Sequence, residues 1–240
     1  MRKIVTLALA AGFLGLVSCE SEDIAFDPYA DAFIVTKTVE NEGQVDTLYG
    51  LALHAFGNKA MTSVDVKLTN DAEASFALEP YFNNSYDFYY ETPEAEFTSE
   101  KPVLGDYNFT VLAESGEEAE LSDKLFEDAI YPTDLIEASY DEEKEETTLT
   151  WNEIEDADYF VIKVYDEEDK LVFSPSRAIG EGDMTEYSFK ASTAGWLNGT
   201  IPAVGKNFRV ELDAYMYESG QQGINLQTKA INEISIIWGE

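Results

Sequence analysis

Six aromatic side chains fall within ten residues in Tyr81-Phe82-Asn83-Asn84-Ser85-Tyr86-Asp87-Phe88-Tyr89-Tyr90. A ring of this kind covers the apolar face of a pyranose, and an amide beside it meets the hydroxyls. Rings interleaved with Asn83 and Asn84 therefore suit sugar recognition. In a strand, alternate residues share a face. Tyr86, Phe88 and Tyr90 then point inward, which leaves Tyr81, Phe82 and Tyr89 for solvent. Two readings follow: an aromatic core strand, or an exposed platform built from Tyr81, Phe82, Asn83, Asn84 and Tyr89. Trp196 and Trp238 admit the same pair of readings.

Other chemistry is sparse. His54 is the only histidine, in Leu51-Ala-Leu-His54-Ala-Phe56, and no G-x-S-x-G elbow accompanies it. It reads as a structural or surface side chain. Zinc needs several nitrogen or sulfur ligands, which one histidine and one cysteine do not supply. With 48 acidic residues, carboxylate pairs at glycosidase spacing arise by chance and carry no information. Asp166-Glu-Glu-Asp169 and Asp141-Glu-Glu143 are acidic enough for calcium but lack the D-x-D-x-D-G order. Gly180-Glu-Gly182 has no following lysine to hold a phosphate and reads as a turn. The expectation is a protein without catalytic residues, metal site or cofactor.

The only cysteine, Cys19, belongs to a different kind of chemistry. Arg2 and Lys3 precede an apolar run from Ile4 to Val17, too short for a membrane span of about 20 residues. Small residues then lead to Cys19, the layout of a secretory signal. Leu16-Val17-Ser18-Cys19 resembles a bacterial lipobox, which implies that Cys19 is lipidated and begins the mature chain. Ser21-Glu22-Asp23 resembles the acidic export signal of Bacteroidetes-type lipoproteins. That implies an outer-membrane protein on the cell surface, with a periplasm-facing one as the alternative. Two of the 15 basic residues lie in the leader, so the mature 222 residues carry 13 bases against 48 acids, a charge of −35. Such a surface repels phosphate backbones and argues against nucleic-acid partners.

The elements that must position these residues are strands. Residues 1–18 form the signal peptide and 19–31 an acidic tether. In residues 32–132, Val64, Val66 and Leu68 alternate with Asp65, Lys67 and Thr69, and Tyr107, Phe109 and Val111 repeat the pattern. Asp46–Phe56, Ser75–Leu78 and Tyr86–Glu91 complete six or seven strands, and only Leu121–Ile130 reads as helix-like. Pro132-Thr133-Asp134 reads as a hinge into residues 133–240. There Asp141–Glu146 is a solvated hairpin turn. Phe160, Ile162 and Val164 alternate in one strand, and Phe208, Val210, Leu212 and Ala214 in another.

Leu149-Thr-Trp151, Ala157-Asp-Tyr-Phe160-Val-Ile162 and Phe208-Arg-Val-Glu-Leu-Asp-Ala214 resemble a fibronectin type III domain. The resemblance implies that Trp151 packs on alternating side chains of the later strands. Phe160 and Phe208 depart from that family's tyrosines, and Ala191–Lys206 is less regular than its pattern. Leu104-Gly-Asp-Tyr107-Asn-Phe109 resembles, more loosely, an Ig-type bacterial surface domain. The expected fold is all-β: two consecutive β-sandwich domains, Ig-like and then fibronectin type III-like. Together they resemble two-domain Bacteroidetes-type surface lipoproteins, some of which sit beside glycan-uptake machinery. The resemblance implies a membrane partner through the lipid and non-catalytic adhesion or binding, to another surface protein or to a glycan.

Overall fold

The computed structural model describes residues 24–41, 43–134, 136–175, 179–221 and 223–240. The leader, Cys19 and the Ser21-Glu22-Asp23 signal lie outside them. The chain is all-β, and its described helical content is one 3-10 turn, Glu94–Glu96.

The first half contributes β1 (Pro28–Asn41), β2 (Gln44–Gly57), β3 (Met61–Leu68), β4 (Asp71–Tyr81), β5 (Asn84–Glu91), β6 (Gly105–Ala113) and β7 (Glu118–Leu125). The second contributes β8 (Ile136–Asp141), β9 (Glu146–Trp151), β10 (Tyr159–Tyr165), β11 (Leu171–Phe173), β12 (Ile179–Glu181), β13 (Glu186–Phe189), β14 (Asn207–Tyr217) and β15 (Leu226–Ile237). Alternation sets the burial: on β3, Val64, Val66 and Leu68 are buried while Asp65 and Lys67 are exposed. β1 begins at Pro28, so the last residues of the expected tether are strand.

Two local expectations are corrected. Leu121–Ile130 holds no helix: β7 runs through Leu125, with Leu121 paired to Phe109 and Leu125 to Gly105. Leu121 and Leu125 are four apart, a spacing that keeps side chains on one face of a strand as well as of a helix. Gly180 lies in the short strand β12 rather than in a turn. There it falls at the register shift between the Ile179–Phe160 and Glu181–Tyr159 pairs on β10, with a positive φ of 72° that suits glycine.

Most strands join one long sheet in the order β11-β10-β14-β15-β1-β2-β5-β4-β3-β6-β7, with β12 also on β10. A second sheet, β13-β9-β8, packs on the second half. The halves meet where β1 pairs in parallel with β15, Ile34 to Thr228 through Lys37 to Ile231. Parallel neighbours need a long connection, and here nearly the whole chain supplies it. Before Ile34, β1 is not paired with β15 and leans on β7, where the Ala32 amide donates to Asp123 Oδ2 at 2.8 Å.

Two cores lie on one face of this sheet. Ala32, Ile34, Leu51, Leu53 and Ala55 face Val66, Phe109 and Val111 in the first. Phe160, Ile162, Val210 and Leu212 face Leu149, Trp151 and Phe189 in the second. Each buried Val, Leu, Ile or Phe side chain contributes about 1.5–3 kcal/mol. Trp151 is buried with its ring 5.4 Å from Phe160, as the fibronectin-like pattern implies. On β1, Phe33 and Val35 are also buried, but on the opposite face with Ala52. The run Ala32-Phe33-Ile34-Val35 is thus apolar on both sides, as a strand sandwiched between neighbours must be.

Candidate binding face

The face opposite the two cores is shared by both halves. Strand register places Tyr29, Asp31, Phe33 and Val35 of β1 on it, beside Phe56, His54, Ala52 and Gly50 of β2. It continues through Tyr89 and Glu91 of β5, Lys229 of β15, Asp213 and Tyr215 of β14, and Lys163 of β10.

This face is concave. Lys229 Nζ donates to Glu91 Oε2 at 3.1 Å, although β1 and β2 lie between their strands. Three strand spacings of a flat sheet are about 14 Å, too far for side chains standing upright. The sheet must therefore curl toward this side. Gly50 assists: a Cβ there would sit 2.7 Å from the Phe97 ring, which lies against β2. Beside it, Lys37, Glu91, Phe97, Arg209, Glu211 and Glu233 border a groove of 460 Å³.

The floor is ionic. Lys163 Nζ reaches Glu211 Oε1 at 2.7 Å and Asp213 Oδ2 at 2.6 Å, and Lys229 lies 3.6 Å from the same Asp213 oxygen. Asp213 is 0% exposed, and its Oδ1 has no partner. Burial pushes the Asp213 carboxyl up to about 6 against the pull of both lysines. Burial also opposes ionisation of Glu211, but Lys163 and Lys229 outweigh it and bring that carboxyl down to about 2. Both lysines lose solvation, yet Asp213 and the neighbouring acids hold them well above the usual lysine range. Burial, then Glu91 and Tyr215, raise the Tyr89 hydroxyl.

A ladder of rings crosses this floor. Phe82 and Tyr81 stand 4.4 Å apart, and Tyr81 and Tyr89 5.2 Å. Tyr89 meets His54 at 5.9 Å, His54 meets Phe56 at 5.5 Å, and Phe56 meets Tyr29 at 4.9 Å. In the second half, Tyr159 stacks on Tyr215 at 4.8 Å. His54 Nε2 is held by Asp87 Oδ1 at 2.7 Å, with its ring tilted against Phe56 and edge-on to Tyr89.

The structure places the expected platform residues at one end of this ladder. Tyr81 is 36% exposed and Phe82 66%, with Asn83 and Asn84 also exposed and Tyr89 half-buried. On the other face, Phe88 is buried and Tyr90 packs 5.1 Å from Phe76. Tyr86, expected to point inward with them, is instead exposed. Phe82 and Asn83 are the two central residues of the β4–β5 hairpin, with φ of 50° and 59°. Positive φ at both positions is the geometry of a two-residue hairpin turn whose twist matches the strands. Asn tolerates it, but a bulky Phe does not, and such a residue costs of order 1–3 kcal/mol. The hairpin keeps an exposed ring at its tip despite that cost.

Sequence reasoning missed the ionic floor. Arg209, Glu211, Asp213 and Tyr215 alternate with apolar residues and read as a solvent face. The signal was the pairing of Lys163 with such acids on an adjacent strand.

Fold and face together define an all-β protein with a concave, aromatic and ionic sheet surface. No family model matches the chain, and no curated protein does. Among solved structures it is similar to a two-domain fibronectin type III segment of chicken tenascin. That match has 10% identity, covers 77% of this chain and 92% of that one, and has a TM-score of 0.28. It is also similar to an Fn3-like protein from Clostridium thermocellum, with 17% identity, 42% and 86% covered, and a TM-score of 0.23.

Proposed function

We propose that the protein is a lipid-anchored, cell-surface protein of the outer membrane that acts by non-catalytic adhesion or binding. Cys19 carries the lipid, and the β4–β5 hairpin presents the contact surface. The single observation behind the binding role is Phe82: an aromatic ring 66% exposed at a backbone angle that disfavours it. A fold that needed only a turn would place Asn-Gly there. Exposed aromatic anchors dominate binding energy at protein interfaces, which supports a surface-protein partner.

A second reading, an accessory glycan-binding lipoprotein of an outer-membrane uptake system, draws on Asn83 and Asn84. Their amides stand exposed beside the rings, where the hydroxyls of a stacked sugar would lie. A mature chain of net charge −35 favours a neutral or basic glycan over an acidic one.

Replacing Tyr81 and Phe82 together by Ala separates the two readings. The purified protein is applied to a glycan array and to intact cells, beside the unaltered chain. Loss of cell binding alone supports adhesion to protein, and loss of a glycan signal supports the second reading. Unchanged binding to both would overturn the hairpin as the contact surface.

A further inference from the structure

A second cluster sits at the end of the shared face, where β1 parts from β15. Asp31 is 3% exposed, and its Oδ2 accepts the Leu226 amide of β15 at 2.8 Å. Its Oδ1 is buried without a partner. Asp123 of β7 lies beside it and accepts the Ala32 amide. Glu218, following β14, is the third carboxyl, and it too has a buried oxygen without a partner. Asp31 thus ties β1 to β15 and Asp123 ties β7 to β1, while Glu218 brings a third negative group to them from the β14–β15 connection. Among the described residues none of them makes an ion pair.

We propose that Asp31, Asp123 and Glu218 form a proton-held joint between the two halves, closed while Asp31 carries a proton and loosened as it ionises. The orphaned Asp31 Oδ1 is the position for that proton, since a carboxyl O–H can donate to a neighbouring carboxylate where two anions would repel.

The other groups facing Asp31 do not neutralise it. From β1 itself comes Tyr29, whose hydroxyl bonds Asn225 and is raised by burial and by Asp31. His54 lies across on β2 but is held by Asp87. From β10 comes Tyr159, also raised by burial, with Tyr215 and Tyr217 against its ring from β14. Lys124, next to Asp123 on β7, points to the other side of that strand and stands over the Phe126 ring, 5.1 Å away.

Burial, followed by Asp123 and Glu218, pushes Asp31 up to about 8 against the amide bonds that favour its charge. An unfolded aspartate titrates near about 3.9. The folded joint therefore holds a proton that the opened joint releases. Its stability is complete below about pH 4 and falls as pH rises, levelling off above the folded value.

The test is amide hydrogen exchange of the full chain, corrected for intrinsic pH dependence, at about pH 5, 6.5 and 8. Protection at Leu226 and Ala32 should fall at least about tenfold over that range, while Val210 and Phe109 in the cores hold. Asp31→Asn should abolish the fall at Leu226. Should Asp31→Asn not fold, Asp123→Asn removes a neighbouring like charge, and the fall at Leu226 should then level off at lower pH. Protection that is flat with pH in the unaltered chain, or a fall that persists in Asp31→Asn, would overturn the joint. So would full restoration at pH 8 by millimolar calcium, which would make the cluster a cation site instead.

Discussion

The two faces of the long sheet use different physics to bury the same strands. On one, Phe160, Ile162, Val210 and Leu212 bury against a second layer and need no partners beyond contact. On the other, Lys163, Glu211, Asp213 and Lys229 are nearly as inaccessible, but each depends on a named counter-charge. The apolar face tolerates any filler of the right volume. The ionic face does not, because one missing partner strands a buried charge. That gives the shared face a defined shape on which rings can be mounted.

The largest effect is expected in the core. Trp151→Ala should destabilise by about 3–5 kcal/mol, from lost transfer energy and the cavity it leaves. That loss should be the same at every pH where the protein folds, because no titrating group depends on the indole. Urea unfolding at two pH values checks it.

Lys229→Ala should cost about 3 kcal/mol at neutral pH, since it leaves Asp213 with Lys163 alone. Here the pH dependence should be strong. The Asp213 carboxyl already stands at about 6, and loss of a lysine raises it further. Below that value Asp213 is protonated in the variant and the missing cation matters less. The destabilisation should therefore shrink as pH falls from about 8 to about 5. Equal losses at both would mean that the cation acts only through packing of its stem.

Much of the strand content was legible. Val64, Val66 and Leu68 alternate because one face of β3 is dry, and Trp151 could be placed in a core from its neighbours. The joining of the halves was not. β1 and β15 pair in parallel across nearly the whole sequence, and no local period encodes a partner that distant. The run Ala32-Phe33-Ile34-Val35 was the available hint, since a strand covered on both sides reads as apolar at consecutive positions. Leu121 and Leu125 misled because their spacing suits both periods. The alternation of Glu211 and Asp213 reads as solvent-facing in any single strand, and only the curl of the sheet buries them. At the hairpin, residue types pointed to Tyr81, Phe82 and Tyr89. The positive φ of Phe82 was invisible, because nothing in Phe-Asn marks a turn of that hand as Asn-Gly would.

The smallest change in stability carries the most information about function. Phe82→Asn puts a residue that accepts positive φ at the first turn position and removes the exposed ring. If the ring is held there for binding, this variant should gain about 1 kcal/mol of stability and lose its partner. The measurement is the melting temperature and the binding of Phe82→Asn, taken side by side with the unaltered chain. A higher melting temperature with weakened binding is the expected result. Binding retained at full strength, with the melting temperature raised, would contradict it and leave the β4–β5 hairpin as an ordinary turn.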